Sequence, residues 1–199
     1  MRLRKAWTIA LTVWAIIYLL IALSVTCYIA SWRFNGYWGD QSGGSQLNFA
    51  LYIAKGINYY TDASTYPMLT PQTPGLFPLL IAPFAKLWGP SLLYGSILGA
   101  LSLCLSIGSV MAISYQLTKD WGYAICSIGM LLCFPRLAEP LVWNRPDSLA
   151  FALTIAAVAV AIIGMSRREY LLWAISAILS VAAVYSKQQS ITGLAAIGL

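Results

Sequence analysis

Ser91 to Thr118 reads SLLYGSILGALSLCLSIGSVMAISYQLT and contains no charged residue. A helix crossing a hydrocarbon core of ~30 Å needs ~20 apolar residues, so this stretch predicts a membrane span. Gly95 and Gly99, four residues apart, would let a neighbouring helix approach closely. The whole chain shares this character. Of its 199 residues 60% are apolar and only 9% are charged, with a mean hydropathy of +0.75. Soluble domains run nearer ~45–50% apolar and ~25% charged. A soluble enzyme, a disordered tail and a nucleic-acid-binding module are excluded on those grounds. The net charge of +6, from 12 Lys and Arg against 6 Asp and Glu, reads as loop and interface anchoring. Histidine is absent, so no site here can use an imidazole as base, shuttle or metal ligand.

Further spans are predicted on either side. Arg2, Arg4 and Lys5 precede a charge-free run over 6–30, too long for a signal-peptide core of ~7–15 residues and read as a retained helix with a cytoplasmic start. Beyond Ser91–Thr118 the expected spans are 121–135, 148–165 and 170–185, followed by a shortened one from 191. The chain stops a few apolar residues into that last helix, which predicts the N-terminal portion of a longer protein. From Ser31 to Pro74 the chain is rich in Trp, Tyr and Gly, as expected of a long extracytoplasmic loop at the headgroup layer. Within it QLNFALYIAK (46–55) has helical apolar spacing with Gly56 as C-cap. LFPLLIAPFAKL (76–87) is short and broken by Pro78 and Pro83, so both segments are read as interfacial or re-entrant. Cys27, Cys104, Cys126 and Cys133 lack metal-ligand spacing and are expected as small hydrophobes between helices.

The crossing parity decides which charges share a face. If 76–87 does not cross, Asp40, the loop Arg136–Asp147 (RLAEPLVWNRPD) and Lys187 lie outside, and Lys119, Arg167 and Arg168 lie inside with the N-terminus. That arrangement is the one expected. Acidic groups near a bilayer are costly and each needs a reason. Asp40, in Gly39-Asp40-Gln41-Ser42-Gly43, is either a solvated turn residue or a general base or metal ligand. Asp147, at a helix start, is either a cap accepting backbone N–H bonds or part of a site. Arg145 and Arg136 could hold a phosphate or a lipid headgroup. Glu139 is expected to pair with Arg136. Lys187 either snorkels or faces a phosphate leaving group, with Gln188 as a neighbouring donor. The proline-braced stretch from Tyr66 to Pro74 is either a rigid loop or one wall of a groove.

Taken in order, these features resemble a known family. Asp40 follows one span; then come Ala54-Lys55-Gly56, Tyr59-Tyr60-Thr61-Asp62, Thr73-Pro74-Gly75-Leu76-Phe77-Pro78 and Lys86-Leu87-Trp88-Gly89-Pro90. Arg145-Pro146-Asp147 and Ser186-Lys187-Gln188-Gln189 complete the series. The pattern is similar to the N-terminal half of the GT-C membrane glycosyltransferases, in the branch of protein O-mannosyltransferases and aminoarabinose transferases. The resemblance implies an all-α, polytopic transmembrane bundle with interfacial helices in its first outer loop. It implies transfer of a sugar from a polyprenyl-phosphate donor to an acceptor hydroxyl or amine, on the extracytoplasmic face of what would be a plasma membrane. Asp40 would be the catalytic carboxylate and Asp147 its partner, the two holding a divalent metal if one is used. Arg145, Lys187, Gln188, Tyr60 and Pro74 would line the substrate site. The implied partners are the bilayer and the lipid-linked donor, with no nucleic acid. Many relatives have Glu after the first aspartate, where this chain has Gln41. The competing readings are a flippase for a lipid-linked substrate and a non-catalytic membrane subunit.

Overall fold

A computed structural model describes residues 41–58, 73–132 and 145–191, together with scattered positions over 9–31 and residues 60, 64 and 195. Every described position over 9–31 is helical, and most of these side chains are exposed, including Ile9, Trp14, Leu20 and Ile21. The remaining elements are α1 (Gln41–Ala54), α2 (Leu76–Trp88), α3 (Leu93–Thr118), α4 (Trp121–Leu132), α5 (Pro146–Arg167) and α6 (Tyr170–Ser186), followed by a 3-10 turn, Gln188–Ser190. The fold is all-α among the described residues. Two of the helices, α3 and α5, are long and apolar enough to cross a membrane.

Helix α1 starts five residues before the segment expected from the apolar spacing. Gly43 and Gly44 read as loop, yet they lie inside the helix, where Gly43 is buried and its small size suits close packing. The far end closes as the sequence predicts. Gly56, at φ 71, lets its N–H reach the Ile53 carbonyl at 2.9 Å and the Ile57 N–H reach the Tyr52 carbonyl at 2.9 Å. Those two bonds satisfy carbonyls that the helix end would otherwise leave bare. Helix α2 is 13 residues long, about 20 Å at 1.5 Å per residue, well short of a hydrocarbon core. Pro83 removes one hydrogen bond inside it, while Pro78 sits in the first turn, where the missing N–H would have had no helical partner.

The packing is inverted relative to a soluble protein. The interior is small and partly polar: Ala152, Ala156, Ala157, Ser102, Ser106, Ser176 and Ser180 are all buried. The exterior is large and apolar, with Leu101, Met130, Leu171 and Ile178 all more than 60% exposed. Small residues and interhelical hydrogen bonds are what would hold such helices together in lipid, where the hydrophobic effect cannot. Gly95, Gly99, Ser102, Ser106 and Ser109 form the buried stripe of α3, which packs against α5. The Ser176 hydroxyl crosses from α6 to the Ala157 carbonyl at 2.8 Å. Cys27 and Cys104 correct the expectation of burial between helices, because both are exposed. A small hydrophobe gains little from burial where the surface meets lipid. Cys126 is half-buried, and Cys133 lies outside the described residues.

Contacts along the helices fix their directions. Tyr94 and Leu98, early in α3, join a cluster with Leu149 and Leu153, early in α5. Gln116, late in α3, donates to the Ser166 hydroxyl late in α5 at 2.6 Å. Helices α3 and α5 therefore run parallel. Helix α4 returns against α3, tied by the Ser127–Ser114 hydroxyl bond at 2.9 Å and the Tyr115–Trp121 ring contact at 4.4 Å. Helix α6 returns against α5. At their turn the Gly164 carbonyl accepts the N–H groups of Arg168 and Glu169.

One apolar cluster locks α1 and α2 onto this frame. Ala50, Phe77, Ile81, Ala82 and Leu149 form its buried part, and Leu47, Ile53 and Tyr94 pack around it. Phe77 is 0% exposed, whereas Leu87 on the same helix is 72% exposed. Phe77→Ala is expected to lower the unfolding free energy by about 3 kcal/mol, because the rigid neighbours leave a cavity. Leu87→Ala should change it by less than about 1 kcal/mol. Equilibrium unfolding in mixed micelles checks both, and equal losses would contradict this packing.

Candidate functional site

The bundle has two charged ends. Lys119, Asp120, Arg167, Arg168 and Glu169 occupy the turns at one end. Arg145, Asp147, Lys187 and Gln188 occupy the other, where the α1–α2 pair packs through Phe77 and Ile81 onto Leu149.

Asp147 is placed by proline. Arg145 precedes Pro146 and takes an extended conformation (φ −125, ψ 146), after which α5 begins with Pro146 in its first turn. A residue before proline avoids helical geometry, and proline at the first helical position loses nothing. Asp147 then lies in the first turn, where the helix dipole favours a negative charge. Lys187 is placed by the end of α6. Its backbone is extended (φ −154, ψ 124), although its N–H still bonds the Ala183 carbonyl at 2.9 Å. A cation there suits the negative end of α6.

Because α5 and α6 are antiparallel, these two ends meet, and the Lys187 ammonium forms an ion pair with the Asp147 carboxylate. The Lys187 side chain is 29% exposed and that of Asp147 42%, so the pair is open to solvent on one side. From the sequence Asp147 is either a cap accepting backbone N–H bonds or part of a site. Among the described residues its carboxylate is engaged by Lys187. The pairing was not foreseen, but a signal was present. Asp147 stands twenty residues before Arg167 in the turn, and Lys187 stands twenty after it. Equal arms of a helical hairpin bring their ends level.

Arg145 is half-buried beside Asp147, and its carbonyl accepts the Ser148 hydroxyl at 3.4 Å. Gln188 is exposed in the 3-10 turn. Two residues to which sequence reasoning gave no role belong to this region. Ser186, next to Lys187, is 0% exposed and its hydroxyl has no partner among the described residues. Gln46 on α1 donates to the Thr73 hydroxyl at 3.2 Å, while its own buried carbonyl oxygen has no partner among the described residues. A glutamine opening an otherwise apolar helical stretch was the available signal for Gln46. Ser186 was legible as the first residue of the Ser186-Lys187-Gln188-Gln189 series, but not as a buried hydroxyl. The Tyr60 hydroxyl donates to the Thr73 carbonyl at 3.4 Å, which places exposed Tyr60 beside half-buried Pro74. Asp40, Arg136, Glu139, Tyr59, Thr61, Asp62 and residues 65–72 lie outside the described residues.

At the opposite end Gln116 links Ser166 and Lys119, the latter donating to its side-chain carbonyl at 2.6 Å. Among the described residues no group of three or more His, Cys, Asp and Glu could hold a metal ion. Asp147 alone is not a ligand set for a hard divalent cation, which takes six or more oxygens. No family model, curated protein or solved structure matches the chain.

Proposed function

We propose that the chain is part of a multi-pass, GT-C-like membrane glycosyltransferase that works on the extracytoplasmic face and takes its sugar from a polyprenyl-phosphate donor. The observation that carries this reading is the meeting of Asp147 and Lys187 at the end of the bundle where α1 and α2 pack. An acid and a cation, at the dipole ends that suit them, are what transfer from a phosphate leaving group requires.

In the proposed reaction the acceptor oxygen or nitrogen attacks the anomeric carbon of the donor. A carboxylate takes the acceptor's proton, and we assign this to Asp40, with Asp147 as a positioning partner. The bond from the anomeric carbon to the phosphate oxygen breaks, and its electrons stay on the phosphate. Lys187 and Arg145 balance that charge, with Gln188 as a neutral donor. Tyr60 and Pro74 form a wall of the groove.

A flippase is the second reading. Substrate sites of secondary transporters lie at broken helices near the midplane. The described charges here stand at helix ends, which supports an enzyme. The test is full-length protein in proteoliposomes with a labelled polyprenyl-phosphate sugar. Release of polyprenyl phosphate with label on an acceptor is expected. Movement of intact donor would support the flippase, and an unchanged donor on its original face would leave a structural subunit.

A further inference from the structure

We propose that Asp147 acts as an internal competitor for the phosphate site: without ligand it holds Lys187, and an arriving phosphate must displace it. The inference rests on the donor-phosphate reading and adds a gate to it.

Lys187 cannot be fully available to an anion while its ammonium is paired with a carboxylate. The pair is also poised to exchange. At 29% and 42% exposure both side chains are reachable from solvent, and an ion pair of this kind is held far less firmly than a buried one. The two partners differ in mobility. Asp147 is fixed on the first turn of α5, on a short side chain. Lys187 stands in the extended break between α6 and the 3-10 turn, on a four-carbon stem that can swing. A phosphate oxygen therefore draws the lysine away and leaves the carboxylate in place. An independent observation points to a second arrangement of this corner. The Ser186 hydroxyl, wholly buried beside the break, has no partner among the described residues in the paired state. Native structures leave few buried polar groups unsatisfied.

The consequence is quantitative. When only a fraction of the protein has the site open, apparent affinity falls by that fraction. A pair closed in roughly two-thirds to nine-tenths of molecules weakens phosphate binding about three- to tenfold. The ligand chemistry is a phosphate group, whether lipid-linked or free.

The test uses full-length protein in phosphatidylcholine nanodiscs, titrated in separate arms with a short-chain prenyl phosphate and with inorganic phosphate. Asp147→Asn is expected to bind more tightly by about three- to tenfold, against the usual direction of a binding-site mutation. Lys187→Gln should bind more weakly. In the Lys187→Gln background, Asp147→Asn should change affinity by less than about twofold, because the gain passes through Lys187. Tightening with both probes assigns the gate to phosphate itself, and tightening with prenyl phosphate alone assigns it to the lipid-linked form. Asp147→Ser serves the same purpose if the Asn variant is not recovered folded. Missing sugar transfer would sink the donor reading whatever the binding shows. Unchanged or weaker binding by Asp147→Asn, or a gain that persists without Lys187, would overturn the gate even in an active enzyme.

Discussion

Lys187→Gln is expected to lower the proposed sugar transfer by about 10²–10³-fold while the protein stays folded. The effect is electrostatic. In the proposed reaction negative charge grows on the phosphate oxygen as the bond to the anomeric carbon breaks, and a cation drawn onto that oxygen would stabilise the transition state more than the ground state. Glutamine is one atom shorter and keeps a hydrogen-bond donor but not the charge. Folding is little affected, because a pair with 29% and 42% exposed side chains contributes about 1 kcal/mol or less. Lys187→Arg should retain much of the activity, since charge is what the step uses. Arg168→Gln is the control: it changes a cation at the opposite end of the bundle and should leave transfer within about twofold. Initial-rate kinetics on the full-length protein check the set. Equal losses at Lys187 and Arg168 would point to general membrane anchoring instead.

Asp40→Asn is expected to lower transfer by about 10²–10⁴-fold, the range of a lost general base. Asparagine is nearly isosteric but cannot take the acceptor's proton. Asp40 immediately precedes α1 in the chain, and α1 packs with α2 toward the first turns of α5. Asp147→Asn should cost less, because in the proposed reaction that carboxylate positions and does not take the acceptor's proton. Single-turnover rates with a saturating donor separate the two roles. An active Asp40→Asn protein, or a larger loss at Asp147 than at Asp40, would reverse the assignment.

The charge-free run at Ser91–Thr118 announced α3 because a long apolar helix has few other solutions. The Arg145-Pro146-Asp147 start of α5 and the Gly56 end of α1 were legible for similar reasons, since proline and glycine constrain the backbone locally. The early start of α1 was not legible. Gly43 and Gly44 weaken a helix by intrinsic preference, and only tertiary packing overrides that. At the site, Asp147 and Lys187 were each visible as charges that needed a reason. Their pairing depends on the α5–α6 hairpin, a long-range fact that local periodicity does not carry. Gln46 and Ser186 stayed hidden because a buried polar group looks like any other until its neighbours are known.

The most direct test of the central claim is a structure of the full-length protein in lipid with a non-transferable polyprenyl-phosphate-sugar analogue bound. The account predicts the phosphate on Lys187 and Arg145, with the Asp147 carboxylate released from the lysine and the sugar facing the α1–α2 side. A phosphate bound among Lys119, Arg167 and Arg168, or a Lys187–Asp147 pair left intact with the donor elsewhere, would contradict it.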